Sequence, residues 1–254
     1  MFGPSRSPTD ADDRPLRRRL DTGANAPVAS PLVHGLLSFC PWFVVADLGA
    51  LRPISRRITD NGPRTKMMRP TQRLTAAHGG LLVVDLQDKL LDLIPDRKPL
   101  IARVSAMIRG ARALGMPVWG TEQYPKGLGP TTASIAELVP DRPAKTCFHC
   151  CAVPQFLEQL YGRNIRHVTV VGIEAHVCIA QTALELLDLG FRVQVPADAV
   201  ASRQRLDWEF ALRRLEQTGA VISSAESALF EWTERSDRPE FKEISAIVKN
   251  LSGH

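Results

Sequence analysis

Three residues in this chain could together perform nucleophilic chemistry: Cys178, Asp85 and Lys145. Cys178 closes the run Val-Thr-Val-Val-Gly-Ile-Glu-Ala-His-Val-Cys, which begins at Val168. A β-branched apolar stretch ends at Gly172, and a few residues later the cysteine opens a helical pattern from Cys178 to Leu189. That pattern predicts a buried strand, a tight turn and a helix whose first turn carries a thiol. A helix N-terminus offers unpaired N–H groups and a positive partial charge, and both favour thiolate, the nucleophilic form. Taken alone, such a cysteine is more often a small buried apolar residue. Asp85 ends a second buried-strand pattern, Leu-Leu-Val-Val-Asp. It could cap a turn, or it could take the thiol proton. Lys145, in Pro-Ala-Lys-Thr-Cys-Phe, could be a solvated surface residue. Beside a thiolate and a carboxylate it would hold the site in its anionic state.

Other polar residues flank the same segments. Gln87 and Gln123 fall just past strand ends, where they could bind substrate or hold loop backbone. Tyr124 could stack on a planar substrate or pack its loop. His176 and Glu174 read as wall residues of the turn before Cys178, and Asp198 and Arg203 as capping or pairing residues.

The elements that must position these groups alternate. Strands are expected at 81–86, 117–121, around 145–148, and at 167–171, 192–195 and 220–223. Helices are expected at 100–114, 133–138, 153–161, 178–189, 204–218 and 241–249. Strands alternating with helices imply a parallel sheet covered on both faces. In such sheets ligands bind beyond the carboxyl ends of the strands, where Asp85 and the turn before Cys178 would lie.

From about Gly80 to Lys249 the chain resembles the isochorismatase-like cysteine hydrolase superfamily. The resemblance rests on LLVVDLQ (81–87), GTEQYPKGLG (120–129), AKTCF (144–148), GIEAHVCIAQTA (172–183), FRVQVPADAVAS (191–202) and the late SAESALF (224–230), in that order. Within the superfamily it is closest to the isochorismatase domain-containing branch. The resemblance implies a three-layer αβα sandwich around a mostly parallel, Rossmann-like sheet. It assigns a catalytic triad to Asp85, Lys145 and Cys178. It also implies a cis Ile173–Glu174 peptide and an oxyanion hole from the backbone N–H groups of Glu174 and Cys178. The implied reaction is hydrolysis of a small amide-type substrate through a thioester. The alternatives are a non-catalytic binding or scaffold member of the same fold, or a redox-active thiol protein, which would need a resolving cysteine close to Cys178.

Several classes are disfavoured. The superfamily's nicotinamidase branches carry a metal-binding Asp-and-His cluster after the catalytic aspartate, and this chain has no histidine between Asp85 and Asp141. No metal is therefore expected at the site. The presence of Cys178 argues against true isochorismate vinyl-ether hydrolysis, whose enzymes in this superfamily lack the cysteine. No nucleotide-binding glycine motif is present, and no cofactor is expected. Cys147-x-x-Cys150-Cys151 encloses His149 but has no second ligand pair, so a structural zinc site is not expected. The chemistry expected of that cluster is adventitious oxidation. Five cysteines without regular spacing argue against a disulfide framework and suit a reduced, cytoplasmic setting.

The net charge of +5 comes from the N-terminal region, where Arg14, Arg17, Arg18, Arg19, Arg52, Arg56, Arg57, Arg64, Lys66 and Arg69 crowd together. Beyond residue 80 the charges nearly balance, so no nucleic-acid partner is expected. Residues 1–79 read as a disordered or over-extended segment, and 80–254 as the hydrolase domain. The apolar island Pro31–Leu51 contains His34, Pro41 and Asp47 and makes a poor membrane span. A chain starting at Met67 is expected to be soluble, homo-oligomeric and as active as the whole.

Overall fold

The computed structural model describes residues 73–252. In chain order these form β1 (Gly79–Val84), α1 (Asp88–Leu91), α2 (Arg97–Ala113), β2 (Val118–Gln123), α3 (Pro125–Leu128), α4 (Ala133–Ala136), β3 (Ala144–Lys145) and α5 (Pro154–Gly162). Next come β4 (His167–Ile173) and a π-helical turn (Ala175–Ile179) that runs into α6 (Ala180–Asp188). The chain continues with β5 (Arg192–Pro196), β6 (Val200–Ala201), α7 (Arg205–Thr218), β7 (Val221–Ser223), α8 (Ala225–Thr233) and α9 (Phe241–Ser252). The sheet order is β3-β2-β1-β4-β5-β7, with β6 pairing the end of β4, and all these pairs are parallel.

The central strands are apolar throughout because both faces are covered. Every residue of β1 and of β4 is buried. Leu81 and Val83 of β1 pack with Met107 of α2, Trp232 of α8 and Ile244 of α9. Leu82 and Val84 point the other way, toward Leu160 of α5, Leu186 of α6 and Leu215 of α7. Two helical layers thus enclose the sheet, as the period-2 pattern requires. Helix α8 is an addition to the expected elements. Ser224 caps it, its Oγ accepting from the N–H of Ser227 at 3.2 Å.

The packed unit begins ahead of the expected boundary at residue 80. Leu74 is buried, and its N–H donates to Glu231 Oε1 at 2.9 Å. The island Pro31–Leu51 and the Met67 start lie outside the described residues.

Sheet order determines where a site can form. From β1 the chain winds outward to β2 and β3, then crosses over to β4 and winds outward the other way. The topological switch point lies between β1 and β4, and the carboxyl ends of these strands are where open parallel sheets bind ligands. The two strands approach closely there. Gly172 has φ +115°, and a Cβ on it would lie 2.2 Å from the carbonyl oxygen of Val84. Only glycine fits that backbone.

At the opposite end of β4, buried His167 has Nε2 2.6 Å from the carbonyl oxygen of Thr75. Burial above all, then the charges of Arg192 and His78, lowers its pKa from 6.5 to about 4. Unfolding therefore takes up a proton between those values. The contribution to stability is complete above pH 6.5 and lost as pH falls toward 4, on the order of 3 kcal/mol. His167→Gln is expected to flatten the acid limb of a thermal-stability profile between pH 7 and 4. An acid limb identical to wild type would contradict this.

Candidate active site

Four adjacent strands deliver one side chain each to the switch point. Asp85 follows β1 in the left-handed region (φ +51°), a conformation aspartate tolerates better than most residues. Its N–H donates to the carbonyl of Thr121 at 3.2 Å. Thr121, paired with Val84 in the β1–β2 register, donates its hydroxyl to Asp85 Oδ1 at 2.8 Å. Lys145 ends β3 and reaches across the end of β2 to place Nζ 2.6 Å from Asp85 Oδ2. Cys178 lies beyond β4 in the π turn, with the Asp85 carboxylate near enough to raise the pKa of its thiol. Asp85, Lys145 and Cys178, dispersed over ninety-odd residues of sequence, thus share one polar cluster. They are 0%, 5% and 6% exposed.

The ammonium of Lys145 donates to three acceptors: Asp85 Oδ2, Gln123 Oε1 at 2.7 Å and the Phe148 carbonyl at 3.0 Å. This uses all three of its protons. Burial alone would lower its pKa, but the neighbouring Asp85 carboxylate overrides that and holds it above the ordinary value. Lys145 therefore stays charged.

Cys178 departs from the sequence expectation in one respect. Its thiol is pushed up to about 12, by burial first and the Asp85 carboxylate second, with Lys145 opposing. The helix-terminus argument anticipates a thiolate at rest. Burial and the nearby carboxylate instead favour the neutral thiol. The residue is also the fourth in the π turn rather than the first of a helix. The arrangement can act by moving the thiol proton to Asp85 as the sulfur attacks, with Lys145 offsetting the negative charge.

The Ile173–Glu174 peptide just before this turn is cis. The isochorismatase domain model matches residues 80–227, which include every residue of the cluster. The chain belongs to the isochorismatase domain family. It is similar to bovine (Bos taurus) isochorismatase domain-containing protein 2, with 39% identity over 173 residues, covering 68% of this chain and 83% of the relative. Among solved structures it is similar to the MAR1 ribonuclease of Caenorhabditis elegans, with 37% identity and TM-score 0.66, covering 70% of this chain and 92% of that one. The fold also matches YcaC of Escherichia coli, described as an octameric hydrolase of unknown specificity. That match has 22% identity and TM-score 0.62, covering 72% of this chain and 91% of the other.

In this isochorismatase-domain protein the flanking glutamines hold the site together. Gln87 is fully buried, its Nε2 donating to the carbonyls of Gln123 (3.0 Å) and Gly129 (2.6 Å). Its Oε1 accepts from the Gln123 N–H at 2.8 Å. Of the two sequence-level alternatives, these bonds fit the loop-holding role rather than substrate contact. Gln123 Nε2 donates to the Thr146 carbonyl at 2.9 Å while its Oε1 receives Lys145, so Gln123 positions the lysine. Tyr124 is half exposed, and its N–H donates to the Lys145 carbonyl at 2.9 Å. His176 Nδ1 lies 3.0 Å from Ser202 Oγ, and Glu174 accepts from Arg203 Nε at 2.9 Å. Asp198 accepts from the N–H of Ala225 at 2.7 Å and pairs with Arg103.

Two neighbours of the cluster were not singled out as site residues in the sequence. Thr121 shares the period-2 face of β2 with Gln123, a signal that the strand pattern carried. Cys150 is fully buried, its Sγ 3.6 Å from Thr121 Oγ1. Among the described residues no group of three or more His, Cys, Asp and Glu side chains could hold a metal ion. No helix among them is long and apolar enough to cross a membrane.

Proposed function

We propose that this chain is a metal-independent cysteine hydrolase that cleaves a small amide through a thioester on Cys178. The observation that carries this reading is the Asp85 carboxylate shared by the Lys145 ammonium and the Cys178 thiol. A buried base beside a nucleophile, with a cation balancing it, is the arrangement nucleophilic acyl transfer needs.

Asp85 accepts the thiol proton as the sulfur attacks the carbonyl carbon. Lys145, held by Gln123 and the Phe148 carbonyl, keeps the base oriented and offsets the charge that develops. The backbone N–H groups of Glu174 and Cys178 receive the oxyanion, where one such donor is typically worth about 10²–10³ in rate. Asp85 then passes its proton to the leaving nitrogen. In the second half it takes a proton from the water that attacks the thioester. Tyr124 lines the substrate's entry, and no cofactor takes part. We further propose a homo-oligomer in the cytoplasm. Leu206, Phe210 and Phe230 expose large apolar side chains, and association would cover such surface.

An ammonia-release screen over small carboxamides, run with wild type and Cys178→Ala, tests the reading. The expected result is release by wild type only, unchanged by EDTA. RNA belongs in the same screen because of the name carried by the C. elegans neighbour. RNA cleavage that depends on Cys178, with no carboxamide turned over, would overturn the amide reading. Binding without turnover of any substrate would favour the scaffold alternative.

A further inference from the structure

Cys150 is a second thiol built into the back of the site, with no part in the hydrolysis described above. It is fully buried, whereas Cys147, three residues earlier, is exposed. Two contacts fix its place. Its N–H donates to Thr182 Oγ1 at 2.9 Å, and Thr182 lies four residues beyond Cys178, about one helical turn along the same face. Its Sγ lies 3.6 Å from Thr121 Oγ1, the hydroxyl that donates to Asp85 Oδ1. The Asp85 carboxylate thus lies near enough to the Cys178 thiol to raise its pKa, and is linked to the Cys150 thiol through the single hydroxyl of Thr121. The two sulfurs share an apolar core with Ile179 and Ala183, which keeps bulk water from the space around them.

We propose that Cys150 is the resolving thiol for Cys178, so that a peroxide converts the pair into an intramolecular disulfide that shuts the site reversibly. This rests on the reading of Cys178 as the reactive sulfur and goes beyond it.

The steps balance. Asp85 takes the Cys178 proton as the sulfur attacks one oxygen of hydrogen peroxide. The S–O bond forms, the O–O bond breaks, and the released hydroxide leaves as water with that proton. The Cys150 sulfur then attacks the sulfenic sulfur of Cys178. The S–S bond forms, the S–O bond breaks, and the hydroxyl leaves as water with the Cys150 proton. Two thiols and one peroxide give one disulfide and two waters. The thiols lose two electrons and the peroxide gains them.

The order of events follows from access. No surface of Cys150 meets solvent, whereas Cys178 keeps 6% exposure. An oxidant therefore reaches Cys178 first. Without a partner, a sulfenic acid goes on to the irreversible sulfinic acid under excess peroxide. Disulfide formation intercepts it.

The test is peptide mapping of the whole chain after peroxide treatment, with free thiols alkylated before digestion. Wild type is expected to yield a cross-linked pair of peptides joining Cys150 to Cys178, removed by dithiothreitol. Cys147→Ser and Cys151→Ser are expected to keep that cross-link. Cys150→Ser and Cys150→Ala are expected to lose it and to gain two oxygens on Cys178 instead. A cross-link from Cys178 to Cys147, or sulfinic acid on Cys178 forming as readily in wild type as in the Cys150 variants, would overturn the proposal. The mapping needs no substrate. A failed amide screen therefore leaves it readable, and a missing cross-link leaves the hydrolase reading standing.

Discussion

Cys178→Ser is expected to lower hydrolysis of the identified carboxamide by at least about 10³-fold while the melting temperature stays near that of wild type. Serine keeps the shape and a hydrogen-bond donor for Asp85, so the fold has little reason to change. Its oxygen is a much poorer nucleophile at neutral pH, and the site offers one base to compensate. Asp85→Asn is expected to be as inactive for a different reason: the amide cannot accept the thiol proton. It also removes the charge that Lys145 faces at 2.6 Å, so this variant should lose stability as well as turnover. Steady-state kinetics with a thermal melt on each variant separates the two effects. Either purified variant turning over at the wild-type rate would refute the assignment.

Lys145→Met is expected to destabilise the protein by about 3–5 kcal/mol, because it strands a buried carboxylate. The ammonium satisfies Asp85, Gln123 and the Phe148 carbonyl, and methionine satisfies none of them. For a domain of this size the melting temperature should drop by roughly 10 °C. The double variant Asp85→Asn with Lys145→Met leaves no unpaired charge and is expected to be more stable than Lys145→Met alone. Double-mutant additivity tests this directly, since coupled neighbours deviate from the sum. A Lys145→Met protein that melts with wild type would mean that the pair contributes nothing in place.

The alternation of apolar runs and amphipathic segments made the sheet and its layers legible, because a strand covered on both faces has little option but to be apolar throughout. Asp85 was legible because it directly follows such a run, whereas Lys145, which alone reads as a solvated surface residue, was assigned through the family resemblance. What the one-dimensional pattern cannot carry is which side chains meet across strands. Thr121 becomes a partner of Asp85 only through the β1–β2 register, which sets it beside Val84. The spacing of the 147–151 cysteine cluster does not say which thiols are inside, and Cys150 is buried while Cys147 is exposed. A helix-terminus argument favours thiolate at Cys178 but contains neither burial nor a carboxylate brought from another strand, and both raise its pKa. Gln87 shows a related limit. Position past a strand end says that a residue is near the site, while its hydrogen bonds to loop backbone say what it does there.

The central claim is a covalent bond between Cys178 and the acyl part of an amide. Rapid acid quenching during turnover of the carboxamide found in the screen, followed by intact-mass measurement and peptide mapping, tests it most directly. The account predicts an added mass equal to the acyl group, on the peptide containing Cys178, absent in Cys178→Ala and released by hydroxylamine as a thioester is. Full turnover with no acyl mass on the protein at any quench time, or with the acyl group on another residue, would contradict it.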